Sequence, residues 1–516
     1  MKHHSIITIC LSALLCFGAC MPNAANVDSH SAEDSARSSE AEVLALEEDA
    51  AAATGEPAEE SEQKAEPTKR DGEKKAPETG KQKPSENSKS SGKSTDSHKN
   101  NGKKNDGTKP SGKKNSGEAS GKKSNSKSSE TASYDTFAQN AATVLENGDA
   151  LTGGTYTATC TDESAIEASG KVTATVTGAV IDKASGDASS ADASSFQGVN
   201  AGVRVYGNAD VTLTDCTITA SAQNATGVFA YENGVVTLYD CTVDVTGGGA
   251  GGVQVAGGGT LYGYNLNVTS ASKAAIRSDR GGGTMVIDGG TYTSTGSNGC
   301  PAIYSTADIT IKNADCVSTN SRAVIIEGKN AVTLENVTIS GNDQSTKEGS
   351  VKANVLLYQS ASGDASVGTS VFTMTGGSMK ANSGAMFYCT NTASVVNLEN
   401  AELLLSDDGT LLIVSAGRWG KDGKNGGNYT LNAKAQTLTG DIQVDAISSL
   451  KLNLTEASSY TGAITGEGKV AVTLDASSAW TLTGDTYITL FDGDAANVIS
   501  NGYTLYVNGV ALTSTK

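Results

Sequence analysis

The densest run of polar chemistry in the chain is Ala274-Ala275-Ile276-Arg277-Ser278-Asp279-Arg280-Gly281-Gly282-Gly283, answered farther on by Glu327-Gly328-Lys329-Asn330. Asp279 and Glu327 stand two periods of a sequence repeat apart, which separates them by roughly 9.6 Å if each period advances one strand spacing. That distance is near the upper limit for the acid and base of an inverting glycosidase, so Asp279, Glu327 and Arg280 form the candidate catalytic set. The spacing permits hydrolysis without requiring it, because an Arg–Asp pair and a glycine turn explain the same residues structurally.

Around this cluster the outward positions of successive repeats hold Arg204, Tyr206, Phe229, Tyr231, Gln254, Arg277, Asp279, Tyr304 and Tyr388. Flat apolar rings beside Arg and Asp are what sugar rings and their hydroxyls are held by, so these residues are the candidate ligand-binding ridge. The competing account is that the rings cover sheet surface and the arginines pair locally.

Other chemistries are disfavoured. The histidines are His3, His4, His30 and His98, all ahead of the repetitive part, which leaves no imidazole there for a Ser-His-Asp triad or a His-bound zinc. No calcium-loop signature is present, and no glycine run opens a helix as a phosphate or dinucleotide loop must. No cofactor and no metal are expected. The net charge of −18 disfavours a nucleic-acid partner, and it argues against a polyuronate substrate unless calcium bridges.

The elements that must position these residues come from one repeating template. Segments beginning at Val211, Val236, Leu261, Met285, Ile309, Val332, Phe372 and Val396 carry at their fifth position Asp215, Asp240, Asn265, Gly289, Asn313, Asn336, Gly376 and Asn400. These residue types tolerate left-handed backbone, so a tight bend is predicted at each. Apolar residues at positions one, three and eight point inward on short strands. The bends recur at 240 − 215 = 25, 265 − 240 = 25, 289 − 265 = 24, 313 − 289 = 24 and 336 − 313 = 23 residues. A second strand precedes each bend segment, centred on Val203, Val228, Val253, Ile276, Ile303, Ile325, Leu356, Phe387 and Leu412. Several short strands per lap, stacked lap on lap, predict an all-β fold: a single right-handed parallel β-helix with coils of about 24 residues. Cys216 and Cys241 then stack in adjacent coils, either as buried small hydrophobes or as a disulfide.

Asp135 to Asn147 carries apolar residues at helical spacing and is expected to form a capping helix. Beyond Trp419 the template weakens, and Leu454 to Leu474 spans only 474 − 454 = 20 residues. Smaller coils are expected there, ending in a cap around Tyr503 to Val510. Two coils are overlong, with extra residues in 182–200 and 342–354; these insertions are expected to leave the same edge and wall the ends of a shallow groove on the first-strand face.

The chain therefore divides into a signal peptide over 1–20, a low-complexity tether over 21–130, the β-helix over 131–420 and a β-rich continuation and cap over 421–516. The apolar run Ile6 to Phe17 is too short to span a membrane. Phe17-Gly18-Ala19-Cys20 resembles a bacterial lipobox, which implies lipidation at Cys20 and anchoring to the cell-envelope membrane. The tether is poor in apolar residues and expected to be disordered, serving as a spacer or, through its Lys-rich half, as a contact to anionic envelope polymers.

The stretch from about Phe196 to Trp419, with phrases such as Pro301-Ala302-Ile303-Tyr304-Ser305-Thr306 and Leu356-Leu357-Tyr358-Gln359-Ser360, resembles right-handed β-helix repeat proteins of bacterial surfaces. The resemblance implies a pectate-lyase-like fold, adhesin-like and displayed outside the cell, but no catalytic motif of that enzyme family matches residue by residue. The function expected is that of a non-catalytic surface adhesin contacting host or bacterial glycans. The alternative is a carbohydrate-active enzyme, a polysaccharide lyase or glycoside hydrolase, using Asp279, Glu327 and Arg280.

Overall fold

The structure, a computed structural model, describes residues 140–297, 300–347 and 349–513. Cys20, the signal peptide and the tether lie outside the described residues.

Apolar residues repeated once per lap stack into continuous interior columns. One column runs Val211, Val236, Leu261, Met285, Ile309, Val332, Phe372, Val396, Leu431, Leu452 and Val472, each partnered with the next on parallel strands. Nearly every member is fully buried. The first strands of the coils form one sheet of thirteen, from Ala141–Val144 through Val203–Tyr206 and Val324–Glu327 to Ile464–Gly466. The second and third strands of each lap, for example Asp210–Thr214 and Thr217–Ala220, form a larger sheet on the other side of the core. The fold is a parallel β-helix.

The bend between second and third strands falls where the residue types require it. Asp215, Asp240, Asn265, Asn313, Asn336 and Asn400 have φ between 51° and 54°, and Gly289 and Gly376 have 75° and 63°. The stack is tied at this corner by backbone bonds such as Asp240 N–H to Tyr264 O at 3.0 Å and Asn336 N–H to Thr375 O at 2.9 Å. Side chains add rungs: Asn265 Nδ2 donates to Asp240 Oδ1 at 2.7 Å and Asn313 Nδ2 to Asp288 Oδ1 at 2.8 Å.

The coils shorten after Gly427, and Leu454 pairs directly with Leu474. Larger rings fill the interior there: Tyr429, Tyr460 and Trp480 are fully buried, with Tyr460 and Trp480 stacked at 5.6 Å. The parallel stack ends in an antiparallel hairpin, Leu505–Val507 with Val510–Ala511.

The N-terminal end differs from expectation. The described part of the anticipated capping helix contains the strand Ala141–Val144, which pairs with Ser164–Ser169. A short helix is marginal alone, and the open sheet edge offers its backbone a full ladder instead.

Asn313 tests the bend, since its side chain is exposed and its φ is 51°. Asn313→Val places a β-branched residue in left-handed geometry and is expected to destabilise by about 1–2 kcal/mol, whereas Asn313→Gly costs less. Urea unfolding midpoints of the two variants against wild type measure the difference.

Candidate functional site

The outward column of the first sheet reads Glu167, Arg204, Phe229, Gln254, Arg277, Tyr304, Ile325, Leu356, Tyr388 and Ile413. Ile325 and Leu356, centres of their strands, belong to this outward column, and Val324 and Val355 hold the inward places, paired with each other. A one-residue offset moves a side chain to the opposite face. Two aliphatic side chains thus join the outer surface, where they cluster with Tyr358, Tyr388 and Trp419.

The 182–200 insertion covers the first half of this column. It contains a helix, Ala191–Gln197, capped by the Ser190 side chain accepting from Ala193 N–H and ended by Gly198 at φ 70°. Beneath it Arg204 is 2% exposed, with Nε donating to Gln197 O at 2.9 Å and its guanidinium 3.4 Å from Glu167. Burial pushes the Glu167 carboxyl up, against the lowering pull of Arg204. Phe229 is sealed against Ala201 and Ala256, and Gln254 Nε2 donates to Ser195 O at 2.8 Å. Arg204 and Phe229, expected on an open ridge, are under this cover. Tyr206 and Tyr231 are half-buried, and Tyr206 donates to Glu167 at 3.1 Å. Tyr388 is fully buried, its hydroxyl 3.4 Å from Ala416 O.

What remains open is a pocket of about 100 Å³ over Arg277, Tyr304, Ile325 and Leu356. Asp279 and Glu327 both line it, with Ser195 and Phe196 from the helix and Trp419 from the 415–427 loop. The overlong coil is also split: residues 342–352 precede the strand Ala353–Tyr358 and residues 359–368 follow it. The second piece supplies Ser360, Ser362 and Asp364 to the pocket wall. Walls on several sides replace the expected shallow groove.

No protein-family model, curated protein or solved structure matches the chain. The chemistry of the pocket must be judged from its own bonds.

Glu327, 1% exposed, accepts from Tyr304 Oη at 2.7 Å, from Tyr358 Oη at 2.8 Å and from Ser360 Oγ. Asp279 Oδ2 is gripped by Arg277 through Nε at 3.1 Å and an Nη at 2.7 Å, while its other oxygen accepts from Arg280 N–H at 3.0 Å. The Arg277 guanidinium also lies 4.6 Å from the Tyr304 ring centre. Arg280 points along the rim, donating to Asp364 at 2.7 Å and stacking 4.1 Å over Phe196. Arg322 lies 2.9 Å from Asp343, and Lys273 donates to Ser195 Oγ at 2.7 Å. Trp419 packs at 4.5 Å against Tyr358. Cys300, also lining the pocket, has its thiol pushed up to about 11 by burial.

The pocket-facing rings of Tyr358 and Trp419 and the hydroxyls of Ser360 and Ser362 were absent from the sequence expectation. Ser190 followed by Gly198 was a readable helix signal. Nothing local marks 359–368 as returning over the sheet.

Burial, and the charge of Glu327 beside them, hold the Tyr304 and Tyr358 hydroxyls well above the ordinary tyrosine value. Since their folded pKa exceeds the unfolded one, the stability they give is complete below about pH 10 and is lost as pH rises through the folded value. Ultraviolet titration of wild type and a Tyr304→Phe/Tyr358→Phe variant should coincide up to about pH 11 while both remain folded; a two-tyrosine difference in amplitude below that pH contradicts this.

Proposed function

We propose that the protein is a surface-displayed, non-catalytic glycan-binding protein whose binding site is the pocket over Arg277, Tyr304, Ile325 and Leu356. The observation that carries this is the pairing of ring and aliphatic atoms with carboxylates already engaged by protein donors. Trp419, Tyr358, Ile325 and Leu356, each more than nine-tenths buried, line the pocket with apolar atoms, and Asp279 and Glu327 are held by fixed donors. A carboxylate so bonded accepts further hydroxyl contacts at its remaining lone pairs, but it is poorly placed to exchange protons. A pocket of about 100 Å³ holds several waters, enough to be replaced by one sugar ring.

One observation favours the enzymatic alternative: Asp279 and Glu327 face the same pocket. A glycan array followed by a reducing-sugar assay on the hits separates the two readings. Removing both partners of the ion pair, Arg277→Ala with Asp279→Ala, avoids stranding a buried charge. The double variant should lose about thirtyfold in affinity, as for a binding hot spot. Wild type should bind without releasing reducing ends, and turnover abolished by Glu327→Gln reassigns the protein as a hydrolase or lyase.

The surface location rests on the Phe17-Gly18-Ala19-Cys20 segment, which leads us to propose a lipid anchor in the cell-envelope membrane. Cells fed a labelled fatty acid should label the wild-type chain and not Cys20→Ser, and the variant should leave the membrane fraction.

A further inference from the structure

We infer that the pocket receives the terminal residue of an uncharged saccharide, not an internal stretch of a chain and not a uronic acid. This deepens the glycan-binding proposal and rests on it. Two sets of observations lead to it, one geometric and one electrostatic.

The geometric set concerns the two ends of the open floor. Along the outward column the residue before Arg277 is Gln254, 1% exposed and bonded to the helix through Ser195 O. The residue after Leu356 is Tyr388, which has no exposed surface and lies under the 415–427 loop at Ala416. The floor from Arg277 to Ile325 is two coil steps, roughly 10 Å, with cover at both ends, since Leu356 beyond Ile325 is as closed as Gln254. Phe196 stands at one end and Trp419 at the other. Beside the strands the floor is bounded by Arg322, which is paired with Asp343, and by Ser360, Ser362 and Asp364 on the returning loop. The loop is pinned to the helix side by Arg280, which bonds Asp364 and stacks on Phe196. A polymer lying along the sheet would have to pass through the helix or through Trp419. A chain end entering from solvent meets no such obstruction.

The electrostatic set concerns the charges in the wall. The charged residues lining the pocket are Lys273, Arg277 and Arg322 against Asp279, Glu327 and Asp364, three of each sign. Every one is already bonded to protein: Lys273 to Ser195, Arg277 to Asp279, Arg322 to Asp343, Glu327 to two tyrosines and a serine, and Asp364 to Arg280. A ligand carboxylate would have to share Arg277 or Arg322 with the carboxylate each already holds, in a wall that also carries Glu327, whose bonded partners are neutral hydroxyls, so like-charge repulsion opposes it. Hydroxyl groups ask for no such exchange, because they can donate to carboxylate lone pairs and accept from Ser362, Lys273 or the arginine forks.

The test uses the wild-type protein and immobilised neutral oligosaccharide ladders of glucose, galactose, mannose and N-acetylglucosamine, one to six residues long, with cyclic glucose oligomers and the terminally oxidised uronic-acid forms as comparators. For the ladder that binds, the free monosaccharide should compete completely, and Kd should change by no more than about twofold from two residues to six. The cyclic oligomer, having no end, should not bind, and the terminal uronate should bind at least about tenfold more weakly. Affinity that climbs with each added residue, or binding of the cyclic form, overturns the end-on pocket and leaves glycan binding standing. A uronate bound equally well or better overturns the neutral assignment alone. Failure of every saccharide to bind removes the glycan reading and this inference with it.

Discussion

Nearly every lap of the chain turns at a residue held in left-handed backbone geometry, and the rest of the molecule depends on those residues staying in line. For most amino acids that conformation costs about 1–2 kcal/mol, so a stack of such turns is tolerable only if nearly every lap places Asn, Asp or Gly there. Among the described residues, the non-glycine residues at positive φ are Asn or Asp except for Glu232, Ala435, Glu456 and Ala457. Once the corner is fixed, the second and third strands leave it in constant register. Val211 then sits over Val236 and Val236 over Leu261, and the core follows as columns of like residues.

A β-helix built this way has a flat outer surface and no concavity of its own. The pocket exists because chain is inserted at three places beside the first sheet. The helix Ala191–Gln197 closes one end, the 415–427 loop closes the other, and the split insertion around Ala353–Tyr358 raises the sides. These additions contribute few strands to the core. Polar bonds hold them down: Arg204 to Gln197 O, Gln254 to Ser195 O, Arg280 to Asp364 and Arg322 to Asp343. That explains why arginines and a glutamine stand at outward positions and are nonetheless buried. They serve as fastenings between sheet and cover, and Arg277 and Arg322 also line the pocket.

The corner residues and the inward columns were legible in the sequence because each is repeated many times, and repetition averages away local ambiguity. Asp215, Asp240, Asn313 and Asn336 were placed correctly for that reason. Features that occur once were harder. Ile325 and Leu356 lie in apolar runs, Val324-Ile325-Ile326 and Val355-Leu356-Leu357, where alternation gives no signal and a shift of one residue costs nothing in the pattern. The strand Ala141–Val144 was missed because its partner edge is a tertiary feature that local spacing does not record. Arg204, Phe229 and Tyr388 were assigned outward correctly, but their burial depends on inserted segments whose return path no period describes. Asp279 and Glu327 were brought to one pocket by coil arithmetic alone. Tyr358, Ser360 and Trp419 joined them only through the insertions.

The same fastenings bear on whether the pocket binds or reacts. A general acid needs a proton it can release and a base needs a lone pair aimed at substrate. Glu327 spends its oxygens on two tyrosines and a serine, and Asp279 spends one of its own on the arginine fork. Freeing either carboxylate for chemistry would leave a guanidinium or a tyrosine hydroxyl buried without its partner, a penalty of about 1–3 kcal/mol or more for each group. A catalytic site could meet that cost if substrate binding rearranged the wall. In a binding site the cost never arises, because the same bonds that deny these groups a role in proton transfer hold the acceptors rigidly in place, and rigid acceptors reduce the ordering entropy lost when a flexible sugar docks.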